Sequence, residues 1–253
     1  MKNTSKKKSI WDSIFSVLDY IFRIVMLNLL IIVPAFFSVI IYSWVTKGDE
    51  NPSDLIMYIT LIPAMIYVFP AITAAVDVFK MYCENTTKGV FKEFFLSLKK
   101  HFLKSFLISI VVVLFFIIMT FRLTLPNGIK IYGPIIYFFN NMDNLICFVG
   151  LGLTLSFVLF GVFILIHLPL AMVYFEKLSL WQYIKLAFIM SFRKIGLTLI
   201  LLVILVAFLI LDISVNLVTF ICGVSLPLYF LTKISFKDYI KIYRKVEKKE
   251  NED

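Results

Sequence analysis

Charged residues are scarce in this sequence. They make up 16% of the 253 residues, while 61% are hydrophobic and 17% aromatic; soluble domains carry roughly 25% charged residues. A water-soluble fold is excluded, because so few charges cannot solvate the surface of so apolar a chain. The long apolar runs also lack the polar and apolar alternation of barrel strands, which leaves transmembrane helices.

The long apolar runs predict about six membrane spans. The predicted fold class is therefore all-α, a polytopic transmembrane helical bundle, because roughly 17–25 helical residues cross the hydrocarbon layer. The last two runs are separated only by Asp212, so a re-entrant pair is the alternative there. The predicted spans cover residues 20–45, 55–78, 103–121, 144–174, 195–211 and 213–231, with a charged cytoplasmic tail at 232–253.

The basic residues flank these runs asymmetrically. All but three of the 25 Lys and Arg fall on one side of the predicted membrane, the exceptions being Lys47, Arg122 and Lys130. The positive-inside rule then places both termini in the cytoplasm. The same distribution accounts for the net charge of +9 and disfavours a nucleic-acid partner, since the charges do not form one basic face. The basic residues at the N-terminus resemble the start of a signal peptide, but no signal-peptidase cleavage site follows them. The first span is therefore expected to stay part of the mature protein.

Residues with catalytic or metal-binding chemistry are few. The sequence contains no P-loop, no HExxH and no GxSxG motif, which predicts a protein that is not an enzyme and needs no cofactor or metal. Cys83, Cys147 and Cys222 are scattered and are read as unpaired thiols. His167 has two interpretations, a hydrogen bond to a neighbouring helix or a ligand site, with the first favoured. Asn28 and Asn216 similarly predict interhelical bonds or pore lining.

The stretch "YVFPAITAAVDVF" places a proline and an acid in an apolar run. Thr73 is a candidate to satisfy the carbonyl that the ring of Pro70 frees. Asp77 is expected at the inner end of the second span, near Lys80, where it meets water and headgroups and anchors the helix at the interface; an ion or proton site is the alternative. The small residues permit close helix contact; they are Ala71, Ala74 and Ala75.

A second stretch, "HLPLAMVYFE", repeats the spacing of proline and acid. Pro169 precedes Glu176 by seven residues, as Pro70 precedes Asp77, and "SLKK" or "SFRK" follows each pair before another apolar run. The pattern predicts two parallel repeats, with coincidence as the alternative. Glu176, like Asp77, is expected to be an interfacial anchor.

Each predicted repeat contains a cytoplasmic amphipathic helix. In "VFKEFFLSLKKHF" the apolar residues recur at helical spacing, which predicts a helix lying in the inner interface. That helix would present a candidate interaction surface to a partner, or would only pack on the membrane; the surface residues are Glu93, Leu96 and Ser97. In the second copy, Ser179 and Gln182 predict a capping box.

On the other side, "RLTLPNGIKIYGP" alternates polar and apolar residues around Pro-Asn-Gly. This pattern is typical of a turn between two short strands and predicts a small extracellular β-hairpin.

The chain resembles the YesL-like bacterial membrane proteins, a family of uncharacterised molecular function. The resemblance is carried by "LNLL", "FPAITAAVDVFK" and "FKEFFLSLKKHFLKS", and extends more weakly through the second half. It implies a multi-pass protein of the bacterial plasma membrane, associated with carbohydrate uptake by oligosaccharide ABC-type importers. Expected partners are the lipid bilayer and the permease subunits of a sugar importer. The long outer loop expected at Thr46 to Asp54 and the charged tail "KVEKKENED" depart from the family pattern. A small transporter or channel and a membrane scaffold are the alternative functions.

Overall fold

The protein is built from helices, with one pair of very short strands. The computed structural model describes residues 10–47, 54–87, 89–120, 122–124, 130–214 and 223–250. The elements in chain order are α1 (Ile10–Val45), α2 (Asp54–Cys83), α3 (Val90–Thr120), β1 (Arg122–Thr124), β2 (Lys130–Tyr132), α4 (Pro134–Asn140), α5 (Leu145–Tyr174), α6 (Leu180–Arg193), α7 (Ile195–Ser214) and α8 (Ser225–Glu250).

Four helices are long and apolar enough to cross a membrane, namely α1, α2, α3 and α5. A fifth crossing results if α6 and α7 are one broken span, since they meet at an angle of 96°. The prediction of an all-α, multi-pass membrane bundle is therefore confirmed at this level. The count of six is not, because the predicted span at 213–231 includes residues 215–222, which lie outside the described ranges.

Helix α2 is the centre of the bundle. In its most apolar stretch, 61% of the residues are buried, compared with 17–28% in the other three candidate spans. Helix α2 also contacts α1, α3, α5 and α8. The predicted small-residue contact is confirmed, because Ala71, Ala74 and Ala75 are fully buried. Without large side chains at these positions the neighbouring backbones approach closely, which favours packing in lipid.

Pro34 interrupts the hydrogen bonding of α1, and α2 compensates for it. A proline inside a helix has no N–H, so the carbonyl four residues earlier, here that of Leu30, loses its donor. The hydroxyl of Tyr67 donates to this carbonyl over 3.1 Å. An unmet carbonyl in lipid would be costly, so this bond ties α1 to α2.

Pro70 is compensated in the same way, by α3. Its ring frees the carbonyl of Ile66, and the hydroxyl of Ser109 donates to that oxygen over 2.9 Å. The prediction that Thr73 has this role was wrong: Thr73 donates to Phe69 O within its own helix, at 3.0 Å. Phe69 O is the acceptor one turn before Thr73, so the short hydroxyl reaches it without leaving the helix surface.

The end of α2 is fixed by the residues that follow it. Asn85 has a positive φ of 55°, the left-handed conformation that asparagine tolerates better than most residues. Its N–H donates to Tyr82 O at 3.1 Å, and the N–H of Thr86 donates to Met81 O at 3.0 Å. This pair of bonds is the Schellman arrangement, which satisfies the last carbonyls of the helix.

Helix α3 is continuous from Val90 to Thr120. The prediction of a separate interfacial helix ending near Phe102, followed by a span, was therefore wrong. The physical reason is that "HFLKSF" contains no proline or glycine, and its Ser105 donates to His101 O at 2.7 Å within the helix instead of capping a new one. The predicted amphipathic segment is the first third of one long helix, with Phe94 fully buried and Phe91 about half exposed.

In the second half, a separate helix does form. The predicted capping box is confirmed at the start of α6: Ser179 N–H donates to Gln182 Oε1 at 2.8 Å, and Gln182 N–H donates to Ser179 Oγ at 3.4 Å. The chain turns sharply between Arg193 and Ile195. The two predicted repeats therefore differ, with a continuous helix in one and a bent pair in the other.

The two strands pair where a hairpin was predicted. Leu123 of β1 lies opposite Ile131 of β2 in an antiparallel register. Residues 125–129, where the turn was predicted, lie outside the described ranges, and the extracellular placement stays a prediction.

The predicted charged tail is helical. Helix α8 continues to Glu250, and its N-terminal part as far as Tyr239 packs into the bundle, with Leu231, Thr232, Ser235 and Tyr239 buried. The tail is thus partly a structural element of the core.

Candidate functional site

The segments that carry the basic residues meet at one end of the bundle. Four long side chains there bond to neighbouring segments and hold that end together. The bonds, 2.9–3.3 Å long, are Arg23 to Thr87 Oγ1, Lys80 to Val173 O, Lys104 to Leu178 O, and Lys194 to Asp238 Oδ1. The basic segments that the sequence analysis placed on one side of the membrane therefore contact one another in the structure.

Three polar side chains, Asp77, Ser97 and His101, form a buried cluster near this end. Ser97 Oγ donates to Asp77 Oδ2 over 2.6 Å, and His101 Nε2 lies 3.4 Å from the same oxygen. The three residues are only 2%, 1% and 5% exposed. The expectation that Asp77 meets water and headgroups was wrong, because the first turns of α3 cover it and supply its donor.

The geometry of the Asp77 cluster does not match a nucleophile activated by a base. In such a site the hydroxyl bonds to the histidine, which removes its proton. Here Ser97 donates to the carboxylate instead, and no hydrogen bond reaches His101 Nε2 from the described part of the chain. A hydrogen bond from a hydroxyl to a buried carboxylate is a strong link, so the cluster fastens α2 to α3.

Glu176 lies in a different environment from Asp77. It follows the end of α5 and pairs with Lys100 of α3, with both side chains nearly half exposed. The role of Glu176 as an interfacial anchor stays a prediction. Pro70 and Pro169 are both buried inside helices, yet the acids seven residues later are buried in one case and exposed in the other. The repeat stays a prediction.

A second buried polar cluster joins α5, α7 and α8. His167 Nε2 lies 2.9 Å from Thr198 Oγ1, and His167 Nδ1 lies 3.1 Å from the hydroxyl of Tyr239. Thr198 also donates to Ser191 O at 3.0 Å, and the Tyr239 hydroxyl donates to His167 O at 3.3 Å. Burial raises the pKa of Tyr239 above its usual range, which keeps that proton on the hydroxyl.

Asn28 joins the first helix to the last. Its Oδ1 accepts from the backbone N–H groups of Val224, at 2.9 Å, and Ser225, at 3.0 Å. These N–H groups belong to the start of α8, where helical partners are lacking. Asn28 therefore caps another helix from a distance of nearly two hundred residues in sequence, and the interhelical interpretation of this residue is supported.

The candidate interaction surface on α3 divides into exposed and buried parts. Leu96 is 58% exposed and available to a partner. Glu93 is half-buried and accepts from Gly89 N–H at 3.3 Å, which stabilises the helix start. Ser97 was wrongly assigned to this surface: it faces Asp77, because it lies one position further round the helix than Leu96.

Metal-binding groups do not cluster. Over the described ranges, no three His, Cys, Asp or Glu side chains are close enough together to hold a metal ion. Cys83 and Cys147 are unpaired; Cys222 and Asn216, two residues considered above, lie outside those ranges.

Several bonding residues were not predicted. Ser109, Thr198 and Tyr239 carry no local motif, since each gains its role from a helix distant in sequence. The sequence did carry one general signal for these residues: a hydroxyl inside an apolar helix needs a hydrogen-bond acceptor, which another helix can supply.

The fold defines this chain as a multi-pass helical membrane protein. A family described as "Protein of unknown function, DUF624" matches residues 24–123, less than half of the chain. The matched segment contains α2, the Asp77 cluster and all of α3. Neither the curated proteins nor the solved structures gave a match.

Proposed function

We propose that this protein is a non-catalytic accessory component of carbohydrate uptake, associated with an oligosaccharide ABC-type importer of the bacterial plasma membrane. The supporting observation is that three buried polar residues within the candidate spans join helices. Asn28 caps α8, Asp77 binds Ser97, and His167 bonds to α7 and α8. These bonds leave those groups little capacity to line a substrate route.

The link to carbohydrate rests on the YesL-like resemblance of "FPAITAAVDVFK" and "FKEFFLSLKKHFLKS", which lie inside the matched residues 24–123. Both termini are placed in the cytoplasm in this proposal, from the positions of the Lys and Arg residues. A permease subunit would then dock on the cytoplasmic part of α3.

The test is affinity purification of the full chain from gently solubilised membranes, with identification of the co-purifying proteins. We expect permease subunits of a sugar importer. Leu96→Glu should remove them, because a carboxylate on the exposed apolar contact would have to be desolvated. Tyr243→Glu is the matched control, since it places the same charge at an exposed aromatic residue of α8. Purification of the wild type alone would contradict the proposal.

One observation favours a transporter as the second candidate. Asp77 and His101 are ionisable and buried in or near the membrane, where such residues often serve ion or proton pathways. Ion-driven uptake into vesicles that contain only this protein, abolished by Asp77→Asn, would support the transporter and contradict the accessory role.

A further inference from the structure

An apolar groove of about 920 Å³ lies between α3, α5 and α6. Its size is at the upper end of the ~300–1,000 Å³ typical of ligand pockets. Helices α3 and α5 are both candidate spans, so the groove opens in the part of the protein that lies within the hydrocarbon layer. The α6 wall is a stripe at helical spacing, formed by Leu180, Ile184, Phe188 and Phe192.

The composition of the walls argues against a transmembrane helix as the occupant. Helices approach each other in lipid through small residues, whereas this groove has one glycine, Gly161. Six phenylalanines line it: Phe115, Phe116, Phe157, Phe160, Phe188 and Phe192. Large, irregular apolar walls suit flexible hydrocarbon chains, which adapt to the gaps between rings.

A lysine side chain, that of Lys104, lies at one end of the groove. Lys104 lies one turn before the lining residues Leu107 and Ile108, and no charged residue follows it in α3. It donates to Leu178 O at 3.1 Å and contacts the hydroxyl of Tyr183 at 3.3 Å, next to the start of α6.

The charge of Lys104 is not neutralised by these contacts. Its third acceptor is Glu176 O, a backbone carbonyl at 2.8 Å, so all three acceptors are neutral oxygens. The exposed Lys177 lies between two of them in sequence. An anionic headgroup at the membrane surface is attracted to such a pair of lysines.

We propose that this groove is a binding site for an anionic phospholipid of the bilayer. The acyl chains lie between α3, α5 and α6, and the headgroup lies at the Lys104 end. The site is independent of the accessory role proposed above, because it requires no protein partner.

Fluorescence quenching by brominated phospholipids locates the bound chains. With Trp11, Trp44 and Trp181 replaced by Phe, a single reporter is introduced as Phe160→Trp, in the groove, or as Leu159→Trp, outside its lining. The two positions are neighbours in α5 and are each 44% exposed. The chain is reconstituted in phosphatidylcholine vesicles containing brominated phosphatidylglycerol or brominated phosphatidylcholine.

At the groove reporter, we expect brominated phosphatidylglycerol to reach half-quenching at about a fivefold lower mole fraction than brominated phosphatidylcholine. At the Leu159→Trp reporter the two lipids should give the same curve. Equal curves at both reporters would overturn the proposal, since they describe non-selective boundary lipid. Quenching at Leu159→Trp without quenching at Phe160→Trp would also overturn it, and would indicate a protein segment in the groove.

Two pairs of variants test the groove and the cation separately. A Cβ at Gly161 or Gly152 meets no atom within 4 Å, but only Gly161 lines the groove. Gly161→Phe should abolish the preference for phosphatidylglycerol, and Gly152→Phe should keep it.

Lys104→Gln, which retains hydrogen-bond donors, should remove the preference, whereas Lys99→Gln on the opposite face of α3 should not. A preference that survives both Gly161→Phe and Lys104→Gln would contradict the assignment.

Discussion

Ser97 donates a 2.6 Å hydrogen bond to the carboxylate of Asp77, and both side chains are buried. The bond supplies a donor to an acid that is buried in the central helix of the bundle. Ser97→Ala should lower the free energy of unfolding by about 1–3 kcal/mol, because the buried carboxylate loses a donor. Chemical denaturation in detergent measures this. Ser156→Ala is the control, since Ser156 is exposed and bonds within its own helix; equal losses in the two variants would contradict the role of Ser97.

Glu176 should contribute much less to stability than Asp77. Its partner Lys100 is 43% exposed and Glu176 is 48% exposed, so water screens the pair. Exposed ion pairs contribute ~0–1 kcal/mol. Glu176→Gln should therefore change the unfolding free energy by less than about 1 kcal/mol, measured by the same denaturation. A loss as large as that of Ser97→Ala would show that the pair is structurally central.

The cap that Asn28 provides for α8 can be tested directly. Asn28→Ala removes the acceptor of two backbone N–H groups and should destabilise the start of α8 by about 1–3 kcal/mol. Hydrogen exchange, read by mass spectrometry, should become faster in the peptide that covers residues 223–231. The peptide over residues 236–244 serves as the internal control. Unchanged exchange at 223–231 would show that the helix start does not depend on Asn28.

Tyr239 predicts a loss of stability at high pH. Because burial raises the pKa of this hydroxyl in the folded state, its contribution is present below the unfolded pKa of about 10 and is lost as the pH rises further. The unfolding free energy of the wild type should fall more steeply above that pH than that of Tyr239→Phe. Tyr243→Phe, at a 43% exposed position, is the matched control. Parallel slopes for wild type and Tyr239→Phe would exclude this source of pH dependence.

Cysteine labelling tests the topology. In a variant without its three native cysteines, single cysteines at Lys100 and Lys241 should react with an impermeant reagent only after the cells are opened. A cysteine at Gly128, which lies between β1 and β2 in sequence, should react in intact cells. Labelling of Lys100→Cys in intact cells would reverse the proposed orientation.

The sequence allowed prediction of features that depend on short spacing or on overall composition. The capping box at Ser179 and Gln182 and the close packing of the alanines after Pro70 are examples. Contacts between distant segments were missed or misassigned. Ser109, 43 residues from Ile66, satisfies the carbonyl that Thr73 was expected to satisfy. The position of a polar residue near the end of a span did not show whether another helix covers it, and Asp77 was therefore placed in water.

The proline contacts also bear on the order in which the helices enter the membrane. The carbonyl of Leu30 has no helical donor until Tyr67 of α2 arrives, and that of Ile66 has none until Ser109 of α3 arrives. During synthesis, each of the first two helices therefore exposes an unmet acceptor to lipid until its successor has been inserted. Successive helices are thus expected to leave the insertion machinery as associated pairs, and Tyr67→Phe or Ser109→Ala would impair biogenesis before any effect on the finished fold.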